Sequence, residues 1–193
     1  AAAVDFYGDP RPIDGDGDGT AVPDMGACEH PALELGALSG EDRYETAAAI
    51  ALENFDAAGT AIVASGQNFP DALSAAGLAG ALSAPLLLAR TDSVPDVLAT
   101  TLDTLGVTDI IIVGGEAAVT AAVADALADD GYTIERIAGE DRYETAAEVA
   151  RRIALESGDG FSKSAFIARG DAFPDALSVS PLAYIDISPI LLT

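Results

Sequence analysis

Short apolar runs alternate with helical stripes along most of this chain. Ala61-Ile62-Val63-Ala64 is a continuous apolar run closed by Ser65-Gly66, which predicts a strand buried on both faces. Ahead of it, Tyr44, Ala47, Ala48, Ala51 and Phe55 fall at helical spacing. Asp42 and Glu45 stand where the N-cap and N3 of a capping box would be, so a helix is predicted over 43–55. Pro70 suits a first helical position and predicts a helix running to Leu82. The same reading predicts a second strand at Leu86-Leu87-Leu88, a helix from Val94 to Leu105, and a third strand at 109–113. A tight turn at Gly114-Gly115, a helix from Val119 to Ala128 and a last strand at 132–137 complete the unit. Strands alternating with helices in this way imply an α/β fold around a mostly parallel sheet.

The pattern then starts again. Gly40-Glu41-Asp42-Arg43-Tyr44-Glu45-Thr46-Ala47-Ala48 recurs letter for letter as Gly139-Glu140-Asp141-Arg142-Tyr143-Glu144-Thr145-Ala146-Ala147. Phe69-Pro70-Asp71-Ala72-Leu73-Ser74 recurs as Phe173-Pro174-Asp175-Ala176-Leu177-Ser178, and Ala84-Pro85-Leu86-Leu87-Leu88 returns as Ser188-Pro189-Ile190-Leu191-Leu192. A unit of about 100 residues is too long for a solenoid repeat and has the size of a small domain. The second copy is predicted to hold a helix at 142–155, a strand at 165–168 and a helix at 174–185, and it reaches Thr193 before its third strand. The chain is therefore expected to be a piece of a longer protein. Half a fold would leave Val149, Ile153, Phe166, Ile167, Ile190, Leu191 and Leu192 as an apolar patch. Copy one, a neighbouring chain or the N-terminal arm would have to cover them, and self-association is expected.

Composition narrows the function. The 193 residues carry 9 Lys+Arg against 32 Asp+Glu, a formal charge of −23. Neutralising phosphates needs a basic face, so nucleic acid is excluded as a partner. Half the residues are hydrophobic, enough for an Ala, Val, Ile and Leu core and too many for disorder. No apolar stretch is long enough to insert in a membrane, and the chain is expected to be soluble, with any signal peptide removed or upstream. Eight of the basic residues are Arg and one is Lys163, and Asp outnumbers Glu. This fits a solvated anionic coat in high salt or a chain rich in calcium ligands. Cys28 has no disulfide partner in the chain, and His30 lies too close along the sequence to make a nucleophile and base with it.

The first thirty residues are different: acidic, rich in Gly and Pro, and without helical period. Asp14, Asp16 and Asp18 stand at positions 1, 3 and 5 of a calcium loop with Gly19 at position 6, but Met25 stands where the closing Glu would be. Either Asp14, Asp16, Asp18 and Asp24 hold one Ca²⁺ with the Thr20 carbonyl, or this is a solvated acidic turn. Gly114-Gly115 before a helix offers bare N–H groups to an anion. It lacks a P-loop Lys, and Glu116 would repel phosphate. No organic cofactor, catalytic triad or His-based metal cluster is expected, and no catalytic residue is assigned.

The four ordered motifs, Arg-Tyr-Glu-Thr-Ala, Phe-Pro-Asp-Ala-Leu-Ser, Pro-Leu-Leu-Leu and Ile-Ile-Val-Gly-Gly followed by Ala-Val-Thr, resemble the cell-wall-binding repeat 2 family over about 40–193. The resemblance implies a small three-layer α/β domain of Toprim-like or Rossmann-like type with a parallel sheet, followed by a second, incomplete copy. It divides the chain into 1–30, an acidic β-rich segment, 31–136, the first copy, and 137–193, the truncated second. Within 1–30, Asp14-Gly15-Asp16-Gly17-Asp18-Gly19 followed by Val22-Pro23-Asp24-Met25-Gly26-Ala27 resembles the closing segment of extracellular right-handed parallel β-helix proteins over about 25 residues.

Also implied are an extracellular place at the cell wall or cell surface, non-enzymatic attachment to an anionic cell-wall polysaccharide, and packing with further repeats in a trimer-like arrangement. The alternative is a self-associating structural subunit of an extracellular layer or fibre. By the same resemblance the polymer would lie near Arg43, Tyr44, Arg142, Tyr143, Pro85, Leu86, Leu87, Pro189, Ile190 and Leu191. On chemistry alone, a cation at a first helical position opposes the macrodipole, so Arg43 and Arg142 need a partner. That partner is a carboxylate of the same domain, Asp71 or Asp175, or an acidic group of the polymer. Pro-Leu-Leu-Leu and Pro-Ile-Leu-Leu read equally as buried central strands.

Overall fold

The Asp42 carboxylate accepts hydrogen bonds from the N–H groups of Tyr44 (2.8 Å) and Glu45 (3.0 Å), and so starts helix α1 (Arg43–Asn54). Asp141 repeats this at Tyr143 and Glu144, both at 2.9 Å, starting α6 (Arg142–Ser157). In the computed structural model residues 37–158, 161 and 163–193 are described, and Leu38–Thr193 form one unit holding both copies. The acidic segment 1–30 and its β-rich reading lie outside the described residues.

Between the two caps the chain runs β1 (Thr60–Ser65), α2 (Pro70–Ser74), α3 (Ala76–Leu82), β2 (Leu86–Ala89), α4 (Asp96–Leu105), β3 (Asp109–Val113), α5 (Ala121–Asp129) and β4 (Thr133–Ile137). The four strands form one parallel sheet in the order β2-β1-β3-β4. The single helix expected from Pro70 to Leu82 is two. Ser74 Oγ bonds back to the Asp71 carbonyl at 2.9 Å, a local bond that competes with the helical ladder at the break.

Period-two alternation divides each strand between two cores. Ala61, Val63, Ile110 and Ile112 face Leu98, Leu102 and Leu105 of α4 and Val123 and Leu127 of α5, with Ala51 of α1. Ile62, Ile111, Val113 and Ile137 face the other way, onto Leu78 and Ala79 of α3. That second face is closed by the second copy: Val149 and Ile153 of α6 pack into it and are fully buried. The result is the expected three-layer α/β fold, with the third layer shared between copies.

The second copy continues through β5 (Phe166–Ala168), α7 (Pro174–Ile185) and β6 (Ile190–Leu192), its two strands pairing in parallel. The expectation of an open half-core is corrected here. Val149, Ile153 and Ile190 are 0% exposed and Leu192 8%, because copy one covers part of this surface and α6 in turn completes copy one. Phe166 and Leu191 are half-buried, and of that group Ile167 alone stays open, at 72%. No helix among the described residues is long and apolar enough to cross a membrane.

Candidate functional site

In open α/β sheets ligands bind in crevices outside the carboxyl ends of the parallel strands, where the loops leading into the helices and the helix N-termini converge. Here the ends of β1 and β2 open into a cleft of about 570 Å³ lined by Arg43, Ser65, Gly66, Gln67, Asn68, Phe69, Leu73 and Leu88 from copy one. Phe173 and Leu177 of copy two close it. Its wall is therefore built by both copies.

Each side chain is held by a separate device. Arg43 Nη1 donates to the Gly66 carbonyl at 2.6 Å, so the guanidinium is anchored at one corner and its other N–H groups can serve a ligand. Gly66 is required: a Cβ there would lie 2.5 Å from Tyr44 Cε1. The Gln67 side-chain oxygen accepts from the backbone N–H of Thr91 at 3.0 Å and from its hydroxyl, which fixes the amide plane. Phe69 and Phe173, which precede the helical prolines of α2 and α7, meet edge to face with centroids 5.8 Å apart. Phe173 and Leu177 are 51% and 53% exposed. One cation, two carboxamides and two aromatic rings around an apolar floor suit an acidic sugar: charge on the guanidinium, ring faces on the aromatics.

The sister cassette has a different role. Arg142 Nη1 donates to Gly170 O at 2.6 Å, but its charge also faces Asp71 of copy one. Both line a smaller cleft of about 200 Å³ between the copies, with Asn68, Glu140, Asp141 and Thr145. Burial pushes the Asp71 carboxyl above the usual carboxylate range, and the Arg142 charge offsets part of that rise. The same-domain pairing expected for the arginines is thus corrected. Asp71 meets the charge of the other copy's Arg142 without forming an ion pair with it, and exposed Arg169 is held by two hydrogen bonds to Asp171, at 2.9 and 2.7 Å, with the charge of Asp175 a lesser contribution. Among the described residues Arg43 makes no ion pair.

The remaining expected residues divide by burial. Tyr44 is buried under Arg90, whose guanidinium lies 4.8 Å from the ring centroid and 3.9 Å from the Asp42 carboxylate, while Tyr143 is 42% exposed. Pro85, Leu87, Pro189 and Ile190 are buried, and Leu86 and Leu191 are half-buried. Their strands support the edge, and Leu88, at the end of the first, lines the cleft. Sequence reasoning missed Gln67, Asn68, Phe69, Phe173 and Leu177. The signal was a large aromatic immediately before a helix-starting proline in both copies. Among the described residues no group of three or more His, Cys, Asp or Glu is placed to hold a metal ion. Asp14, Asp16, Asp18 and Asp24 lie outside them.

Comparison with known proteins agrees with this architecture. The family model described as cell wall binding domain 2 matches residues 37–124 and 136–193. N-acetylmuramoyl-L-alanine amidase LytC of Bacillus subtilis (strain 168) is 37% identical over 156 residues, 81% of this chain and 30% of that protein. The amidase enhancer of the same organism is 30% identical over 156 residues, 81% of this chain and 21% of its own length. Among solved structures, Cwp6 from Clostridium difficile superposes with a TM-score of 0.74 at 30% identity, covering 81% of this chain and 24% of that one. Cwp8 from the same organism gives 0.75 at 33% identity, covering 84% and 28%. The chain thus spans less than a third of each of these relatives.

Proposed function

This chain belongs to the cell wall binding domain 2 family, and from that premise we propose that it anchors a surface protein by holding an anionic cell-wall polysaccharide in the cleft at Arg43. Attachment is non-covalent and no bond of the polymer is broken. The observation that carries the reading is the cleft itself: a tethered guanidinium without a carboxylate partner among the described residues, ringed by Gln67, Asn68, Phe69 and Phe173. Acidic groups of the polymer bond to Arg43, and sugar faces stack on the aromatics. LytC is an amidase as a whole protein, and this chain matches 30% of it; on our reading this chain contributes wall attachment and not that activity. The chain works at the cell wall, outside the cell.

The site accounts for strength as well as sign. A charge-assisted hydrogen bond contributes about 1.5–3 kcal/mol, so a single cleft binds weakly and a polymer spanning several clefts binds by avidity. Co-sedimentation of the purified chain with cell walls tests this, before and after extraction of the anionic polymers. Binding to intact walls that disappears on extraction is the expected result, and equal binding to both preparations contradicts it.

One feature favours a second reading, the self-associating subunit. Ile167, Leu182 and Ile185 stand exposed on copy two, at 72%, 47% and 72%. Light scattering that grows with concentration in the absence of walls would support it, and a monomer at tens of micromolar would dismiss it.

A further inference from the structure

We propose that Gly77 and Gly80 of α3 set the seat of the second copy on the first, and thereby hold Phe173 and Leu177 over the Arg43 cleft. The proposal rests on the reading of that cleft as the polymer site. Both glycines lie inside a seven-residue helix, where each costs about 0.5–1 kcal/mol relative to alanine. Neither has a positive φ, so the backbone does not demand them.

The neighbouring copy does. A Cβ at Gly77 would come within 3.0 Å of the Ser188 carbonyl oxygen, and one at Gly80 within 3.0 Å of the Tyr184 carbonyl oxygen. These are backbone atoms of the α7 end and the turn after it. They are themselves fixed, because Ser188 N–H bonds to Ala183 O at 3.0 Å and Asp186 N–H to Leu182 O at 2.9 Å. Neither can swing aside as a side chain would.

The second copy supplies the control. Aligned through Phe69-Pro70-Asp71 and Phe173-Pro174-Asp175, the positions matching Gly77 and Gly80 are Pro181 and Tyr184. Both sit within helix α7, and both are exposed. In copy two the side chains at these positions point outward, whereas in copy one the backbone of α7 and of the turn after it occupies the space a side chain at Gly77 or Gly80 would need. The requirement therefore belongs to the contact between copies and not to the helix.

The consequence reaches the cleft because α7 runs as one helix from Pro174 to Ile185, even though Pro181 within it gives no backbone N–H to the ladder. Leu177 stands in its first turns and Tyr184 in its last, about 10 Å apart at ~1.5 Å per residue. Lifting the Tyr184 end off α3 tilts the element that carries Phe173 and Leu177, and the two-copy wall of the cleft opens. Gly77 and Gly80 are thus positioning residues: they touch no ligand.

Gly77→Ala and Gly80→Ala, singly, test this against Gly59→Ala, whose added Cβ meets nothing within 4 Å. Helix propensity alone predicts that alanine in α3 raises the melting temperature; the seat predicts that it falls. Three measurements are made: thermal melting, affinity for solubilised wall polymer, and the ¹⁹F resonance of fluorophenylalanine at Phe173, which senses the Phe69 ring. Either glycine variant, still helical by circular dichroism, is expected to melt lower, shift the Phe173 signal and bind roughly threefold or more weakly, with Gly59→Ala unchanged. If one variant does not fold, the other carries the same test. A raised melting temperature, or a fall in stability with the Phe173 signal and affinity unmoved, overturns the proposal. Arg43→Gln and Phe173→Ala in the same assay separate the two claims. If they weaken binding and the glycine variants do not, the seat is wrong; if they bind as the parent does, the cleft reading fails and takes the proposal with it.

Discussion

Phe69 and Phe173 occupy matching positions of the two copies, yet they touch each other, rings inclined at 63° with centroids 5.8 Å apart. Internal repeats that folded independently would keep such positions apart. The contact marks the seam along which copy two completes copy one, and it borders the cleft assigned to the polymer. An edge-to-face pair is worth about 0.5–1.5 kcal/mol beyond its area. Phe173→Ala is therefore expected to lower stability by about 1 kcal/mol and to weaken polymer binding, read by denaturant melts and a binding isotherm on one preparation. Full affinity in that variant would remove the aromatic wall from the account.

Asp71 gives a pH signature. Its carboxyl is held above its ordinary value of 3.8, first by burial and against the pull of Arg142. A raised folded-state pKa means the protonated form is favoured on folding. That contribution is complete below the unfolded value and is lost as pH rises through the folded one. Asp71→Asn cannot ionise, so it is expected to melt higher than the parent at pH 7, with the difference vanishing as the pH falls below the ordinary carboxylate range. A difference that persists unchanged at pH 3, measured in parallel melts, contradicts the assignment.

Ile153 of copy two is fully buried against copy one's sheet, with Ile62, Leu78 and Ile111. Truncating a buried isoleucine to alanine costs about 2–5 kcal/mol. If the copies share one core, Ile153→Ala lowers the melting of residues in both copies together. Hydrogen exchange that rises only in 142–193 would show two separate cores.

Much of this fold is legible in the sequence, for physical reasons that differ by element. Strand β1 and helix α1 follow from local signals, an apolar run and a capping box, and both caps form as read. The Glu45 carboxylate, however, reaches back to Glu41 N–H at 2.7 Å, one residue before the cap. The break at Ala75 is invisible because the residues around it, Ala72, Leu73, Ala75 and Ala76, all favour a helix, and the matching Ser178 lies inside an unbroken one. The approach of Arg142 to Asp71 could not be read at all: identical motifs in each copy suggest a pair within a copy, and only the packing of α6 on copy one's sheet brings the two to one cleft across copies. Arg43 was legible as a cation in need of a partner, whereas Phe69, Phe173 and Leu177 join its cleft only through tertiary structure.

Charge sets the kinetics of attachment. A chain of net −23 meets long-range repulsion from an anionic polymer, and salt screens it over about 10 Å at 0.1 M. The association rate is expected to rise with NaCl or with divalent cations, the reverse of a basic binder. A rate that falls steadily with NaCl, in stopped-flow or surface-based kinetics without divalent ions, would indicate that local attraction at Arg43 governs the encounter.

The most direct test compares Arg43→Gln with Arg142→Gln in equilibrium binding to solubilised anionic wall polymer. The two arginines share one sequence motif and one anchoring bond to a glycine carbonyl. Arg43 faces the open cleft, while Arg142 faces Asp71. Loss of a charge-assisted contact of about 1.5–3 kcal/mol corresponds to roughly ten- to a hundredfold in affinity. The account predicts that Arg43→Gln loses that much while keeping its melting temperature within a few degrees, and that Arg142→Gln chiefly lowers stability. Equal affinity of Arg43→Gln and the parent would contradict it.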